Sequence, residues 1–291
     1  MRIGCVILTT GDRPEPLSAA VSSVAGQRGR ATEIVVVVNA DAPRATTEAI
    51  RRLHEGLVLV TPGHNLGIPE GRNLGVEALG RCDLVLFLDD DATLAERDVL
   101  ERAERLFRVD PTLGVVTMRI EDPETGETQR RHVPRLLAGD PTRSSWVTTF
   151  LGGACILRTD AFTAAGRLPG EFFYAHEETS LAWRMLDLGY RIRYVADLVI
   201  HHPGLPPARH AAYHRLTARN RVLLARKHLP LPVGVVYVGV WAVLGLVRAK
   251  AGSRDLIRGF VEGFQGSAVD RQPIRWRTVV RMARYGRPPI I

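Results

Sequence analysis

The sequence predicts an α/β fold, with a Rossmann-like, mainly parallel sheet carrying helices on both faces and a C-terminal helical region appended to it. Two observations predict the sheet. Short apolar runs, each closed by a polar turn, recur at Ile3–Leu8, Ile34–Val38, Leu57–Val60 and Leu84–Leu88. Stretches of helical spacing separate them, an alternation that demands parallel strands joined by crossovers. A third observation predicts the division of the chain. Residues 1–202 hold 23 Arg against 28 acids, a net of −5, whereas residues 203–291 hold 14 Arg and 2 Lys against 3 acids, a net of +13. The overall +8 therefore describes neither part.

Each element has a local reason. Residues 14–26 place Leu17, Ala20, Val21 and Val24 on one helical face, and residues 43–55 do the same with Ala45, Ala49, Ile50 and Leu53. Residues 69–79 form a helix with Pro69 near its start and Gly80 after its end. The fourth apolar run leads straight into Asp89-Asp90-Asp91. Beyond residue 91 a charged helix spans about 95–108 and a strand about 113–119, followed by a polar stretch, 121–145, without periodicity. A strand follows at Ala154–Leu157, a helix at 177–189 ending on Gly189, and a strand at 191–195. Right-handed crossovers would gather the strand C-termini on one edge, where ligands bind in such sheets. The expected organisation is a globular domain over 1–204, changing pattern at residue 91, and a basic, apolar region over 205–291.

The composition, 45% hydrophobic and 24% charged over 291 residues, excludes disordered, collagen-like and disulfide-framework classes. Cys5, Cys82 and Cys155 are scattered, with no CxxC spacing, which suits a reducing, cytoplasmic compartment. Between His228 and Arg248 lie 19 residues without a formal charge, close to the roughly 20 that span a bilayer as a helix. Pro230 and Pro232 shorten the usable helix. The segment reads as membrane-embedded, interfacial, or a helix buried against the domain. Downstream, Arg248, Lys250, Arg254 and Arg258 interleave with Leu246, Ile257, Phe260 and Phe264, as suits an anionic membrane surface rather than nucleic acid.

Three constellations could carry chemistry. Asp89-Asp90-Asp91 at a strand end is either a site for a divalent cation with phosphate oxygens or a solvated turn. Asn65-Leu66-Gly67-Ile68-Pro69-Glu70-Gly71-Arg72-Asn73 joins a glycine-containing loop to a helix start with an arginine one turn in, an arrangement able to hold a diphosphate. It is neither a Walker A loop nor a GxGxxG fingerprint. Glu177-Glu178 at a helix start either complement the helix dipole or supply a general base. His201-His202 follow a strand, where an imidazole could serve a metal or a diphosphate.

Taken in order, these motifs resemble the family-2 inverting glycosyltransferases of the GT-A (nucleotide-diphospho-sugar transferase) fold, most closely their rhamnosyltransferase-like branch. The resemblance covers residues 3–204 and implies a catalytic domain over 1–204, with a nucleotide-binding part (1–91) and an acceptor part (92–204). It runs through Val6 to Pro14, Asn65 to Asn73, Asp89 to Asp91, Gly152 to Arg158, Glu177 to Arg184, Gly189 to Ile192 and Val199 to His202. Tyr213 and Arg219-Asn220-Arg221 are similar to the family's helix after the domain.

The resemblance implies a hexosyl- or deoxyhexosyltransferase that moves a sugar from a nucleoside-diphosphate donor to an acceptor hydroxyl with Mn²⁺ or Mg²⁺. By position, Thr9, Thr10, Gly11, Arg13 and Asn39 would line the nucleoside pocket, and Arg72 would contact the nucleotide. Asp89 and Asp91 match the Asp-x-Asp motif, with Asp90 near the ribose, and His201 would reach the metal or leaving diphosphate, with His202 as the second candidate. Gly152, Gly153 and Glu177 would shape the acceptor site, and Glu178 would be the catalytic base where the family usually carries Asp. Val38 stands where many members place an acid, so the nucleobase is left open. A lipid-linked or envelope-glycan acceptor and a peripheral position on the inner face of the cell membrane are expected. The rivals are a nucleotidyltransferase of related fold and a non-catalytic basic membrane-binding module.

Overall fold

A computed structural model describes residues 1–29, 32–136, 139–204, 212–249, 252–266 and 270–290, with only the backbone of Arg248 and Ala249. Lys250 and the Arg248 side chain, counted above among the tail cations, lie outside the described residues.

The first half follows the alternation read from the sequence. Strands β1 (Ile3–Thr9), β2 (Glu33–Val38), β3 (Val58–Val60) and β4 (Leu84–Asp89) are all parallel, in the spatial order β3-β2-β1-β4. Helices α1 (Pro14–Ala25), α2 (Arg44–Arg51) and α3 (Ile68–Ala78) form the crossovers. The runs are continuous because both sheet faces are covered: Val35 to Val38 have no exposed surface. Each such valine or isoleucine contributes about 1.5–3 kcal/mol by leaving water.

The second half enters with mixed polarity. Strand β5 (Thr93–Leu94) precedes α4 (Val99–Val109), and β6 (Leu113–Glu121), β7 (Ser145–Val147) and β8 (Ala154–Arg158) follow. Then come α5 (Thr159–Ala164), α6 (Glu177–Leu188) and β9 (Arg191–His201). The sheet runs on from β4 through β8, β6, β9 and β5, with β7 also on β9. Strand β8 is antiparallel to both β4 and β6, and β5 and β7 are antiparallel to β9; only β6 and β9 pair in parallel. The parallel character thus belongs to the half before residue 91. The antiparallel β8 is what swings Gly152 and Gly153 back to the end of β4, since Leu88 pairs with Ala154.

The basic region is not a free appendage. It comprises α7 (Tyr213–His228), α8 (Leu231–Ala249), α9 (Ser253–Gln265) and α10 (Trp276–Arg284). Leu224, Leu229, Val233, Tyr237, Ile274 and Met282 join the same hydrophobic cluster as Val6, Phe87 and Leu186. The uncharged segment 229–247 buries one face, through Val233 and Tyr237, and exposes the other at Leu231, Val235, Val243 and Val247. Among the described residues no helix is long and apolar enough to cross a membrane. Asp187, near the end of α6, fastens α10: it accepts the Arg275 backbone N–H at 2.8 Å and the Thr278 hydroxyl at 2.7 Å.

Candidate active site

The C-terminal ends of β1, β2 and β4 open onto a cleft of about 730 Å³. Thr9, Thr10, Arg13, Asn39, Arg72, Asp89, Asp90 and Asp91 all line it, as the sequence led one to expect. Gly11 is not among the lining residues; its φ of +82° makes the turn after β1, and its N–H donates to Thr9 Oγ1 at 3.0 Å. The Thr9 hydroxyl in turn donates to Asp90 Oδ2 at 2.6 Å. Asn39 supports the wall rather than facing the cleft with a free amide. Its nitrogen donates to Asn65 Oδ1 (3.2 Å) and Gly67 O (3.0 Å), and its oxygen accepts the Leu66 N–H at 2.8 Å. Asn39 therefore shapes the loop that joins β3 to α3.

The acidic triplet splits into distinct environments. Asp90 is buried, and burial pushes its carboxyl up to about 6 against the pull of Thr9 and Arg13. For Asp91 burial also acts upward, but the hydrogen bond from His202 and the charges of His202 and Arg13 outweigh it and bring the group down to about 2. Arg13 bridges the two, on Asp90 Oδ1 at 2.5 Å and on Asp91. His202 Nε2 lies 3.0 Å from Asp91 Oδ1 and 4.0 Å from Asp89 Oδ2. One ligand atom from each of Asp89, Asp91 and His202 lies within 4.8 Å of the other two, a spacing and donor set that fit a divalent cation.

The imidazole here is His202, not His201. His201 is the last residue of β9 and pairs with Thr93 and Glu121 at the end of the sheet ladder. Successive side chains of an extended chain alternate in direction, so only one of the two can reach Asp91. His132, which the sequence did not single out, stands behind His202 with ring centroids 6.3 Å apart.

Arg72 joins the acidic triplet to the glutamate pair. It is buried, donates from Nη2 to Asp89 Oδ1 at 2.9 Å, and places Nη1 3.7 Å from Glu178 and 4.0 Å from Glu177. Burial would lower its pKa, but the three carboxylates raise it, so it stays charged. Glu177, expected beside the acceptor, is 1% exposed and faces protein, because the start of α6 turns it inward. Burial and the neighbouring Glu178 lift its pKa well above the carboxylate range. Glu178 is also raised by burial, but the hydrogen bond from Glu177 favours its ionised form. Between the two glutamates, burial thus disfavours charge more strongly on Glu177, and Arg72 favours it on Glu178.

The two glycines of β8's entry make room for side chains of the protein itself. A Cβ at Gly152 would lie 2.2 Å from Glu178 Oε1 and 2.4 Å from Arg72 Nη1. One at Gly153 would lie 1.9 Å from Asp89 Oδ2. Ahead of Glu178, three non-glycine residues hold positive φ: Phe173 (+61°), Ala175 (+68°) and His176 (+71°). Each such residue costs about 1–3 kcal/mol, a strain found at sites where geometry is enforced. Phe173 and Tyr174 line the cleft, as do Ala212 and Leu216 beside and within α7. None of these four was visible as a site residue in the sequence, since each reaches the cleft from a distant part of the chain.

Comparison with known proteins agrees with this geometry. The model of glycosyl transferase family 2 matches residues 5–165. A pre-mycofactocin glycosyltransferase of Mycobacterium tuberculosis (strain CDC 1551 / Oshkosh) is 25% identical over 205 residues, 68% of this chain and 42% of that protein. The chain thus spans less than half the length of the curated relatives it matches. Among solved structures, the mannosyltransferase PcManGT from Pyrobaculum calidifontis, in complex with GDP-Man and Mn²⁺, has a TM-score of 0.61 at 18% identity, over 97% of this chain and 79% of that one. TarS 1–349 of S. aureus, in complex with UDP-GlcNAc, has a TM-score of 0.63 at 13% identity, over 96% and 83% of the respective chains. These two show the likeness of fold. With the family match covering more than half its length, the chain belongs to glycosyl transferase family 2.

Proposed function

We propose that the protein is a metal-dependent, inverting hexosyl- or deoxyhexosyltransferase that moves a sugar from a nucleoside diphosphate to an acceptor hydroxyl. The observation that supports this best is the pairing, through Arg72, of an ionisable Glu178 with the Asp89–Asp91–His202 group. The nucleotide would occupy the cleft under Thr9, Thr10 and Asn65, with its diphosphate toward Arg13 and His202. Asp89, Asp91 and His202 would hold Mn²⁺ or Mg²⁺, which when bound neutralises charge on the leaving diphosphate. Glu178 takes the proton of the acceptor hydroxyl as its oxygen bonds to the anomeric carbon and the bond to the diphosphate breaks. A single base and a single displacement invert the anomeric centre. Arg72, held by Asp89, keeps the base and the donor end in register.

The test is release of nucleoside diphosphate from a panel of UDP-, GDP- and TDP-sugars with Mn²⁺ or Mg²⁺. Asp91→Ala and Glu178→Gln are expected to abolish it. Intact turnover in either variant overturns the site assignment.

The acceptor side of the proposal is a lipid-linked or glycan substrate met at the inner face of the cell membrane. It is supported by the exposed apolar residues Leu231, Val235, Val243 and Val247 of α8 and Ile257, Val261 and Phe264 of α9, accompanied by exposed Arg254 and Arg258. Flotation with phosphatidylglycerol vesicles should carry the full chain, and the Val235→Glu/Val243→Glu variant should stay behind. Equal partitioning of the two proteins would remove the membrane claim.

A further inference from the structure

The segment that carries the strained residues connects the donor cleft with the start of α6. Phe173 and Tyr174 line the cleft, and Glu178 follows within one turn of the helix. L-residues do not keep positive φ in succession unless something holds them. The holding group comes from α7. Asn220 has no exposed surface, and its amide nitrogen lies 2.9, 2.7 and 2.8 Å from the carbonyl oxygens of Phe172, Tyr174 and Ala175. Its own oxygen accepts from Arg219 Nε at 3.0 Å, which fixes which way the amide faces. Arg219 also donates to the carbonyls of Glu171 (3.0 Å) and Phe172 (2.9 Å).

The same segment supports the donor wall. The Phe173 carbonyl accepts the Ile68 N–H at 2.8 Å. It fits there because Gly67 lacks a side chain: a Cβ would lie 2.6 Å from that oxygen. A single buried amide on α7 therefore ties together the backbone ahead of the base and the backbone of the cleft.

We propose, on the reading of Glu178 as the base, that Asn220 is a positioning residue for transfer. It sets the left-handed run so that Glu178 and the Gly67–Ile68 wall keep one relative placement. Holding α7 in place is a separate task, served by Val222 and Leu224, which are fully buried.

The experiment compares the full-length protein with Asn220→Ala, using whichever of UDP-GlcNAc, GDP-Man or TDP-rhamnose it turns over with Mn²⁺. The expected result is a kcat lowered by about tenfold or more, as for other misplaced catalytic groups, with donor KM within about threefold. Ala175→Gly alone should behave as wild type, because glycine takes this φ without support. Added to Asn220→Ala, it should restore kcat by about threefold or more, a recovery that a merely structural role for Asn220 would not allow. An unchanged kcat, an effect on KM alone, or no recovery with Ala175→Gly overturns the proposal. If Asn220→Ala does not fold, Asn220→Ser keeps one donor and should show the same pattern more weakly; failure of both to fold makes the residue structural and also overturns it. Persistent transfer by Glu178→Gln would remove the base itself, whereas loss there beside a normal Asn220→Ala removes only the role of Asn220.

Discussion

Gly153 and Asp89 occupy adjoining space so closely that no side chain fits between them: a Cβ at Gly153 would lie 1.9 Å from Asp89 Oδ2 and 2.1 Å from its Cγ. Gly153→Ala must therefore displace the Asp89 carboxylate from Arg72 and from the Asp91–His202 pair. Transfer should fall on the order of a hundredfold, and folding stability by about 1–3 kcal/mol from overpacking. Steady-state kinetics with urea denaturation checks both; wild-type kinetics would mean the backbone yields instead.

The neighbouring histidines should separate cleanly. His202→Ala is expected to weaken Mn²⁺ binding by about tenfold or more, since it removes one of three converging ligand groups. His201→Ala should leave it within about threefold, because that residue belongs to the ladder with Thr93 and Glu121. Titration calorimetry with Mn²⁺ and each variant decides the point, and the reverse order of effects would return the metal to His201.

The base predicts an acidic limb in the rate. Glu178 must be ionised to accept a proton, and burial raises its pKa above the ordinary 4.5. The rate should consequently rise with pH through a midpoint above 4.5, and kcat across pH 4–8 at saturating metal measures it. A rate still level at pH 4 would show that no buried carboxylate limits the reaction.

Acidification of the metal-free protein sets raised carboxyls against buried neutral imidazoles. Asp90 sits at about 6, above its unfolded value of 3.8, so its contribution is present below the unfolded value and disappears as pH rises through 6. Glu177 and Glu178 are raised too and act in the same sense. Asp91, at about 2, contributes stability above 3.8 that is lost as pH falls toward 2. Burial holds three imidazoles the other way, His132 down to about 4, His228 down to about 3 and His176 well below the usual range, so each contributes stability above 6.5 that is lost as pH falls. Three such groups outweigh the raised carboxyls between pH 7 and 5, so acidification over that window should lower stability, and Asp90→Asn should change its slope. Urea midpoints in the presence of a chelator report it.

Asp187 should prove the chief polar tether of the last helix. It accepts the Arg275 N–H and the Thr278 hydroxyl while 8% exposed. Asp187→Ala leaves both donors without their partner and should cost about 2–3 kcal/mol, seen as a lower Tm. The same loss in Asp187→Asn would show that charge, rather than hydrogen bonding, is what α10 requires.

The parallel half of the sheet was legible because each strand there is a continuous apolar run and each crossover an amphipathic helix. Asp89 to Asp91 were legible for the same reason, as polar residues at the end of such a run. Strands β5 and β7, of two and three residues, are too short for any period to show, and they form by pairing with β9. The choice between His201 and His202 turned on where β9 stops, and a one-residue shift reverses which imidazole faces the carboxylates. Glu177 and Glu178 are told apart in the sequence only by the resemblance; in the structure it is the burial of the first that separates them. Phe173, Tyr174, Ala212 and Leu216 reach the cleft through long-range packing, which no local pattern records.

The sharing of one core by Val6, Phe87, Tyr237 and Met282 has a consequence for synthesis. The sheet strands leave the ribosome first, yet the hydrophobic surface that Tyr237, Ile274 and Met282 cover stays open until the last helices emerge. Until Tyr237, Ile274 and Met282 have emerged, that face of the sheet has no cover from its own chain, so the sheet and the helices after residue 212 reach their final packing together.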